Sequence, residues 1–298
     1  MKVLIVRFSA IGDCVMAGVA VNDVVRTVPG AEVHWVVADG CHEVVSVEKS
    51  VLPRKAWKAK GEFRTLFEQF RWHCALRRFG FDIGFDLQGH SKTAWCLRLS
   101  GAKRRIGLRA TDAMAAKLNP QTKLVRPPDS HEIDWYRFAF IQEFGSQPVT
   151  EDFLLGARSE RQSGLVTINV GAGHRLKTIP GATLRDVGAA LAREGKQVVY
   201  IGGPRDTIDA PNGTTSRVGQ TSLLETLELV RSSSVHVCGD TGTGHIAAVT
   251  DTPLVSVWGN MPLSQFRPYT DRAIVLNRNG DPTQVDASEI LEAVRCVS

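Results

Sequence analysis

The sequence predicts an α/β protein built as two Rossmann-like halves, each a parallel sheet covered by helices. Three observations predict it. Short apolar, β-rich runs alternate with stretches of helical periodicity, which is the pattern of parallel sheets with helices on both faces. The alternation breaks at Gly145-Ser146-Gln147-Pro148 and then restarts. Polar, glycine-bearing runs follow several strands, where ligands bind in open parallel sheets. The chain of 298 residues suits two domains of ordinary size, taken here as 1–150 and 151–298, with the last helix free to pack back on the first half.

The elements follow in order. Lys2–Arg7 reads as a buried strand, Ser9–Asp13 as a turn, and about Cys14 to Thr27 as a helix stopped by Pro29-Gly30. Val33–Val37 reads as a strand. Phe63, Leu66, Phe67, Phe70 and Cys74 recur at helical spacing and predict a helix over 62–78. Asp82–Asp86 is a strand, Gly89–Leu99 a helix and His131–Phe144 another. In the second half Leu165–Val170, Gln197–Ile201, Val235–Cys238 and Leu254–Trp258 read as strands. Gly181–Glu194, Leu223–Arg231 and Gly244–Thr250 read as helices. Asp286 and Glu289 open the last helix at capping-box spacing.

Composition narrows the function. Hydrophobic residues make up 43% and charged residues 22%, ordinary for a globular protein. The apolar run Val3–Val6 is broken by Arg7, too early for a secretion signal. No stretch approaches the roughly 20 apolar residues of a spanning helix. A cytoplasmic protein is expected, soluble or peripheral at a membrane. The six cysteines show no CxxC or zinc spacing and read as reduced thiols. Residues 1–150 hold 22 Lys and Arg against 15 Asp and Glu, and the remainder 14 against 16. Either the first half meets an anionic partner or this is a solvated basic surface. The cations concentrate in Arg54–Arg78 and in 92–126, without any nucleic-acid-binding motif, so nucleic acid is not an expected partner.

Four runs can carry chemistry. In Ser9-Ala10-Ile11-Gly12-Asp13, Gly12 permits close backbone approach and Asp13 sits where a helix dipole favours an anion; a plain N-cap is the commoner use of such an Asp. Asp86-Leu87-Gln88-Gly89-His90-Ser91-Lys92 is either a ligand loop or a capping loop. Gly171, Ala172 and Gly173, followed by Lys177, can present backbone N–H groups and a cation to phosphate, although no P-loop is present. Asp240, Thr241, Gly242, Thr243, Gly244 and His245 follow a strand and open a helix, a natural pyrophosphate site. Asp206, beyond the strand ending at Ile201, is a candidate for a nucleotide ribose. No Asp-x-Asp pair occurs to hold a divalent metal on a diphosphate. No cofactor or metal is therefore expected, and Lys177 with a helix N-terminus would stabilise a leaving group instead.

Taken in this order, the motifs resemble the lipopolysaccharide heptosyltransferases of glycosyltransferase family nine over nearly the whole chain. Val6–Asp13 resembles that family's N-terminal signature, and its Asp matches the proposed base. Asp86–Gly89 with Ser91 and Lys92 resembles the acceptor-side loop, and Arg105-Ile106-Gly107 the short motif after it. Lys177 with Pro180 resembles the Lys-x-Trp-Pro element, and Asp240-Thr241-Gly242 with His245 and Ala248 the donor-pyrophosphate element. Ile179 stands where the family usually has Trp, and Asn260-Met261-Pro262 replaces a Gly-Pro-Thr-like turn; both departures lie on the donor side.

The resemblance implies a GT-B enzyme whose halves face across a closing cleft, catalysing inverting, metal-free transfer. Asp13 and Lys177 would be catalytic. Gly171, Ala172, Gly173, Asp206, Asp240, Thr241, Gly242, Thr243, Gly244 and His245 would bind the donor. Ser9, Gly12, Gln88, Lys92 and Arg105 would bind the acceptor. The partners implied are ADP-heptose and the Kdo-containing inner core of lipopolysaccharide, met at the inner face of the inner membrane. The alternatives are a nucleotide-sugar 2-epimerase of similar architecture and a non-catalytic nucleotide-sugar-binding protein.

Overall fold

The computed structural model describes residues 1–43, 51–54, 66–150, 154 and 160–297. The chain divides into two compact units, Met1–Leu154 and Leu155–Ser298. The first contains β1 (Lys2–Val6), α1 (Ile11–Thr27), β2 (Glu32–Ala38), α2 (Asp39–His42), β3 (Val51–Arg54), α3 (Leu66–Ala75), β4 (Ile83–Asp86), α4 (Ser91–Leu99), β5 (Arg104–Gly107), α5 (Ala113–Leu118) and α6 (Glu132–Phe144). Its strands form one parallel sheet in the order β3-β2-β1-β4-β5.

The second contains β6 (Gln162–Asn169), α7 (Gly181–Arg193), β7 (Gln197–Ile201), β8 (Thr214–Ser216), α8 (Leu223–Ser232), β9 (Ser233–Gly239), α9 (Gly242–Val249), β10 (Leu254–Val257), α10 (Leu263–Phe266), β11 (Ala273–Leu276) and α11 (Ala287–Val297). Its parallel sheet runs β11-β10-β9-β6-β7-β8.

The physical reasons are local. β1 is buried along Val3–Val6, and α1 is buried on most of its surface, because α1 lies between the sheet and α6. Asp23 of α1, nearly inaccessible, is paired with Arg137 Nε of α6 at 2.8 Å and accepts the Val149 N–H at 2.8 Å, so its charge is compensated. His131 caps α6 by accepting the Ile133 N–H, and Gly145 ends it in the left-handed conformation. In the second unit Val166, Ile168, Val198, Val235, Val237, Val255 and Val257 form the sheet side of a core. The last helix closes that same core through Ile290, Ala293 and Val294. Its predicted capping box is present: Asp286 N–H donates to Glu289, and Glu289 N–H donates to Asp286.

Several boundaries move. The helix expected over 62–78 is α3 followed by a 3₁₀ turn at Leu76–Phe79; residues 62–65, with Phe63, lie outside the described residues, as do Lys55, Lys58, Lys60 and Arg64 of the basic segment. The helix expected to start at Gly244 begins two residues earlier, with Thr241 as its N-cap.

The two topologies share one property. Strand order reverses between β1 and β4 in the first sheet and between β6 and β9 in the second. At such a switch point the connections leave to opposite sides and open a crevice at the carboxyl ends. The loops after these four strands are 7–10, 87–90, 170–180 and 240–241, the polar runs singled out by sequence.

Candidate functional site

In the first unit the β1 loop turns on Asp13. The expectation that Asp13 would otherwise be a plain N-cap is corrected: Ala10 is the N-cap and Asp13 the third helical residue, its Oδ2 reaching back to accept the Ala10 N–H at 3.1 Å. Its Oδ1 lies 2.9 Å from Nη2 of Arg7, and the carboxylate keeps about a third of its surface exposed. Ser9 is exposed and Gly12 buried.

Arg7 is almost wholly inaccessible. Its Nη1 donates to Leu87 O at 2.8 Å and to Tyr136 Oη at 2.7 Å. Burial works against the guanidinium charge, yet the facing Tyr136, Asp13 and Glu132 outweigh it and raise its pKa. The Tyr136 hydroxyl donates to Glu132 Oε1 at 2.6 Å. Glu132 also meets Arg109 at 3.1 Å and Arg126 at 2.6 Å.

The β4 loop is organised by Asp86. Its Oδ1 accepts the Gln88 and Gly89 N–H groups at 3.0 and 2.8 Å, and its Oδ2 accepts the Thr93 hydroxyl at 3.0 Å. Burial nevertheless pushes its pKa up to about 6. Gln88 joins the two loops, its Oε1 accepting the Phe8 N–H at 2.8 Å. Gly89 is required: its φ is +75°, and a Cβ there would lie 2.4 Å from Arg109 O. Lys92 is exposed in the first turn of α4.

Arg105 stands apart from this group. It is paired in register with Gly84, two residues short of the carboxyl end; Nη1 reaches Ala102 O at 3.4 Å, and burial with the nearby Arg98 charge lowers its pKa.

The second unit gathers the expected donor residues beyond the ends of β6, β7 and β9. The segment Arg175–Lys177 forms a 3₁₀ turn, with the His174 side chain accepting the Leu176 N–H. It is laid directly on the ends of β9 and β10. A Cβ on Gly239 would stand 2.2 Å from Lys177 O, and one on Gly259 2.6 Å from Leu176 O. This seating puts Lys177 Nζ 2.8 Å from Oδ2 of the buried Asp240, off the hydrogen-bonding direction.

Thr241 and Thr243 hydroxyls are 2.9 Å apart, and Thr243 is 3.0 Å from His236 Nε2. His236 Nδ1 meets Thr167 Oγ1 of β6 at 2.9 Å. Burial lowers the His236 pKa to about 3, so this bridge is neutral at physiological pH. Gly244 packs against the Cys238 sulfur, and the buried Cys238 thiol is pushed up to about 12. His245 is buried in the first turn of α9. First-turn N–H groups lack intrahelical acceptors and favour an anion.

Gly171 and Ala172 are half-buried and Gly173 exposed. Asp206 Oδ2 accepts the Gly203 N–H at 2.7 Å and occupies the space a Cβ on Gly171 would need. Asp206 thus ties the β6 and β7 loops together. Among the described residues no three His, Cys, Asp or Glu side chains form a group able to hold a metal ion.

Sequence reasoning missed Arg7, Tyr136 and Glu132, which are distant in the chain, and His236, whose role depends on neighbours in β6 and α9. Arg7 alone carried a signal, as a charged residue ending an apolar strand. The departure at Ile179 has a plain structural form: the side chain is buried in the second core.

Doubly wound units with phosphate-type loops at their switch points are the architecture of a nucleotide-binding enzyme, and the family match makes it a glycosyltransferase. The model of glycosyltransferase family 9 (heptosyltransferase) matches residues 70–293. The chain belongs to that family. It is 25% identical over 283 residues to lipopolysaccharide heptosyltransferase 1 of Pseudomonas aeruginosa, covering 87% of this chain and 79% of the relative. Among solved structures, Escherichia coli heptosyltransferase WaaC with ADP superposes with a TM-score of 0.80 at 19% identity, covering all of both chains. A family 9 glycosyltransferase from Veillonella parvula gives 0.82 at 15% identity, covering 99% of this chain and 96% of that one.

Proposed function

We propose that the protein transfers heptose from ADP-heptose to the Kdo/heptose inner core of lipopolysaccharide, by an inverting, metal-independent reaction. The observation that carries this is that each unit carries its own chemically distinct loop set at its switch point. The first unit offers a half-exposed carboxylate, Asp13, fixed by Arg7 and its own helix. The second offers Lys177 beside the first turn of α9. Family membership and the relatives' lipopolysaccharide heptosyltransferase activity support the substrate class.

In this reading Asp13 accepts the proton of an acceptor hydroxyl as its oxygen attacks the anomeric carbon. The bond from that carbon to the β-phosphate oxygen breaks, and ADP leaves with the electron pair. Lys177 and the N–H groups of Thr241, Gly242 and Thr243 take the developing charge, the Gly244 N–H being donated to Thr241 O. Asp240 holds Lys177 in place while leaving part of its charge for the phosphate. Asp206, Gly171, Ala172, Gly173 and His245 complete the donor side. Ser9, Gly12, Gln88 and Lys92 serve the acceptor, and Arg105, which stands apart from them, has no part in this reading. The basic first unit suits an acceptor bearing carboxylates and phosphates at the inner membrane surface; among the described residues no helix is long and apolar enough to cross a membrane.

The test is ADP release from ADP-heptose with inner-core acceptor. Asp13→Ala should lose at least about 100-fold in kcat, within the usual range for a general base. Activity near wild type would remove Asp13 from that role.

A further inference from the structure

Asp13 is held at both carboxylate oxygens, by the Ala10 N–H and by Arg7. Arg7 is itself buried, so its position depends on what it meets inside the unit. Its Nη2 faces Asp13; its Nη1 is shared between Leu87 O and Tyr136 Oη. A phenol has one proton, and at Tyr136 that proton goes to Glu132, 2.6 Å away. The oxygen lone pairs are therefore turned to Arg7. Glu132, fully buried, is fixed in turn by Arg109 and Arg126. The sequence Glu132, Tyr136, Arg7, Asp13 is one continuous relay of charge-assisted contacts from the start of α6 to the start of α1.

We infer that Glu132 and Tyr136 are positioning residues for Asp13, acting through the fork of the Arg7 guanidinium. This rests on the reading of Asp13 as the base. Neither residue is a surface group: both are buried, and their polar atoms are taken up inside the relay. Removing either should loosen the Arg7 fork and misdirect the carboxylate, which affects turnover and leaves substrate affinity intact. Among the described residues the titratable groups facing Asp13 include Arg7, Cys14 on its own helix and Cys41 from α2. Arg7 is the cation among them.

The experiment measures kcat, both KM values and the pH profile of kcat/KM for purified Tyr136→Phe, Glu132→Gln, Arg7→Lys and Arg7→Met, with melting temperatures alongside. Tyr136→Phe and Glu132→Gln should each lower kcat about tenfold or more with both KM values within about twofold, the signature of lost positioning at the reacting group. Arg7→Lys should lower kcat while leaving the acid limb of the profile in place. Arg7→Met should move that limb to higher pH, because the cation favouring ionised Asp13 is gone.

Wild-type kcat in both Tyr136→Phe and Glu132→Gln overturns the inference, as does a raised acceptor KM at unchanged kcat, which would make these residues part of substrate binding. If one of these two variants does not fold, the other carries the result. The base reading fails separately: Asp13→Ala would then turn over at the wild-type rate. An inactive Asp13→Ala beside fully active Tyr136→Phe and Glu132→Gln sinks the relay alone.

Discussion

Gly239→Ala should unseat the 170–180 loop with a single added methyl. The added methyl would stand 2.2 Å from Lys177 O, where ordinary contact needs about 3.4 Å. The carbonyl belongs to backbone and β9 is a central strand, so the 3₁₀ turn must retreat by about 1 Å. That displacement carries Lys177 away from Asp240, and a misplacement of this size near a reacting group costs up to about 100-fold in rate. Overpacking at such a contact should also cost about 1–3 kcal/mol of stability. The assay is calorimetric titration with ADP together with ADP release in turnover. Affinity should fall at least tenfold and kcat further. Gly173→Ala is the matched control: it lies in the same loop, its backbone is outside the left-handed region, and an added Cβ meets nothing within 4 Å. Wild-type ADP affinity and turnover in Gly239→Ala would refute the claim that close backbone seating positions Lys177.

Three further outcomes follow from the geometry. Lys177→Met should weaken ADP binding about tenfold and lower kcat by about 100-fold, measured by the same titration and turnover, because the cation proposed to face the leaving phosphate is lost. Asp86 titrates near 6 when folded against 3.8 when free, so its contribution to stability is full below 3.8 and is lost as pH rises through 6; Asp86→Asn should abolish a stabilisation of at most about 3 kcal/mol between pH 7 and 4, read by urea unfolding. His236 behaves oppositely: with a folded value near 3 against 6.5, it supports stability above 6.5 and withdraws it on acidification, and His236→Asn should remove about 2 kcal/mol of the loss between pH 7 and 5.

The legible part of the fold was the buried part. β1, β6, β9 and β10 announce themselves as apolar runs because both faces of a central parallel strand are covered. The strands missed are short: β3, β5 and β8 begin or end on polar residues, Arg104 and Arg105 of β5 disguise it as a surface loop, and β11 is a four-residue, half-buried edge strand. The site was legible as four polar loops at strand ends, since glycines, hydroxyls and carboxylates cluster there for chemical reasons. Which loops share a crevice was not legible, because that depends on β1 lying beside β4 and β6 beside β9. The Arg7–Tyr136 contact spans 129 positions, and no local pattern encodes it. Asp13 read alone resembled a cap; its carboxylate does serve the helix end, with one oxygen, and the other is turned to Arg7.

The 170–180 loop rests on the ends of β9 and β10 through the main-chain carbonyls of Leu176 and Lys177, a seat that does not depend on the side chains at 175 and 176. Arg175 and Leu176 are exposed and, unlike His174, do not cap the turn with their side chains, so they are open to replacement while Lys177 stays anchored. Phosphate contact and the identity of the loop's outward face are thereby separable traits. A library randomised at 175–176 would test whether donor preference changes while the Lys177 cation proposed to assist departure of the nucleotide stays in place.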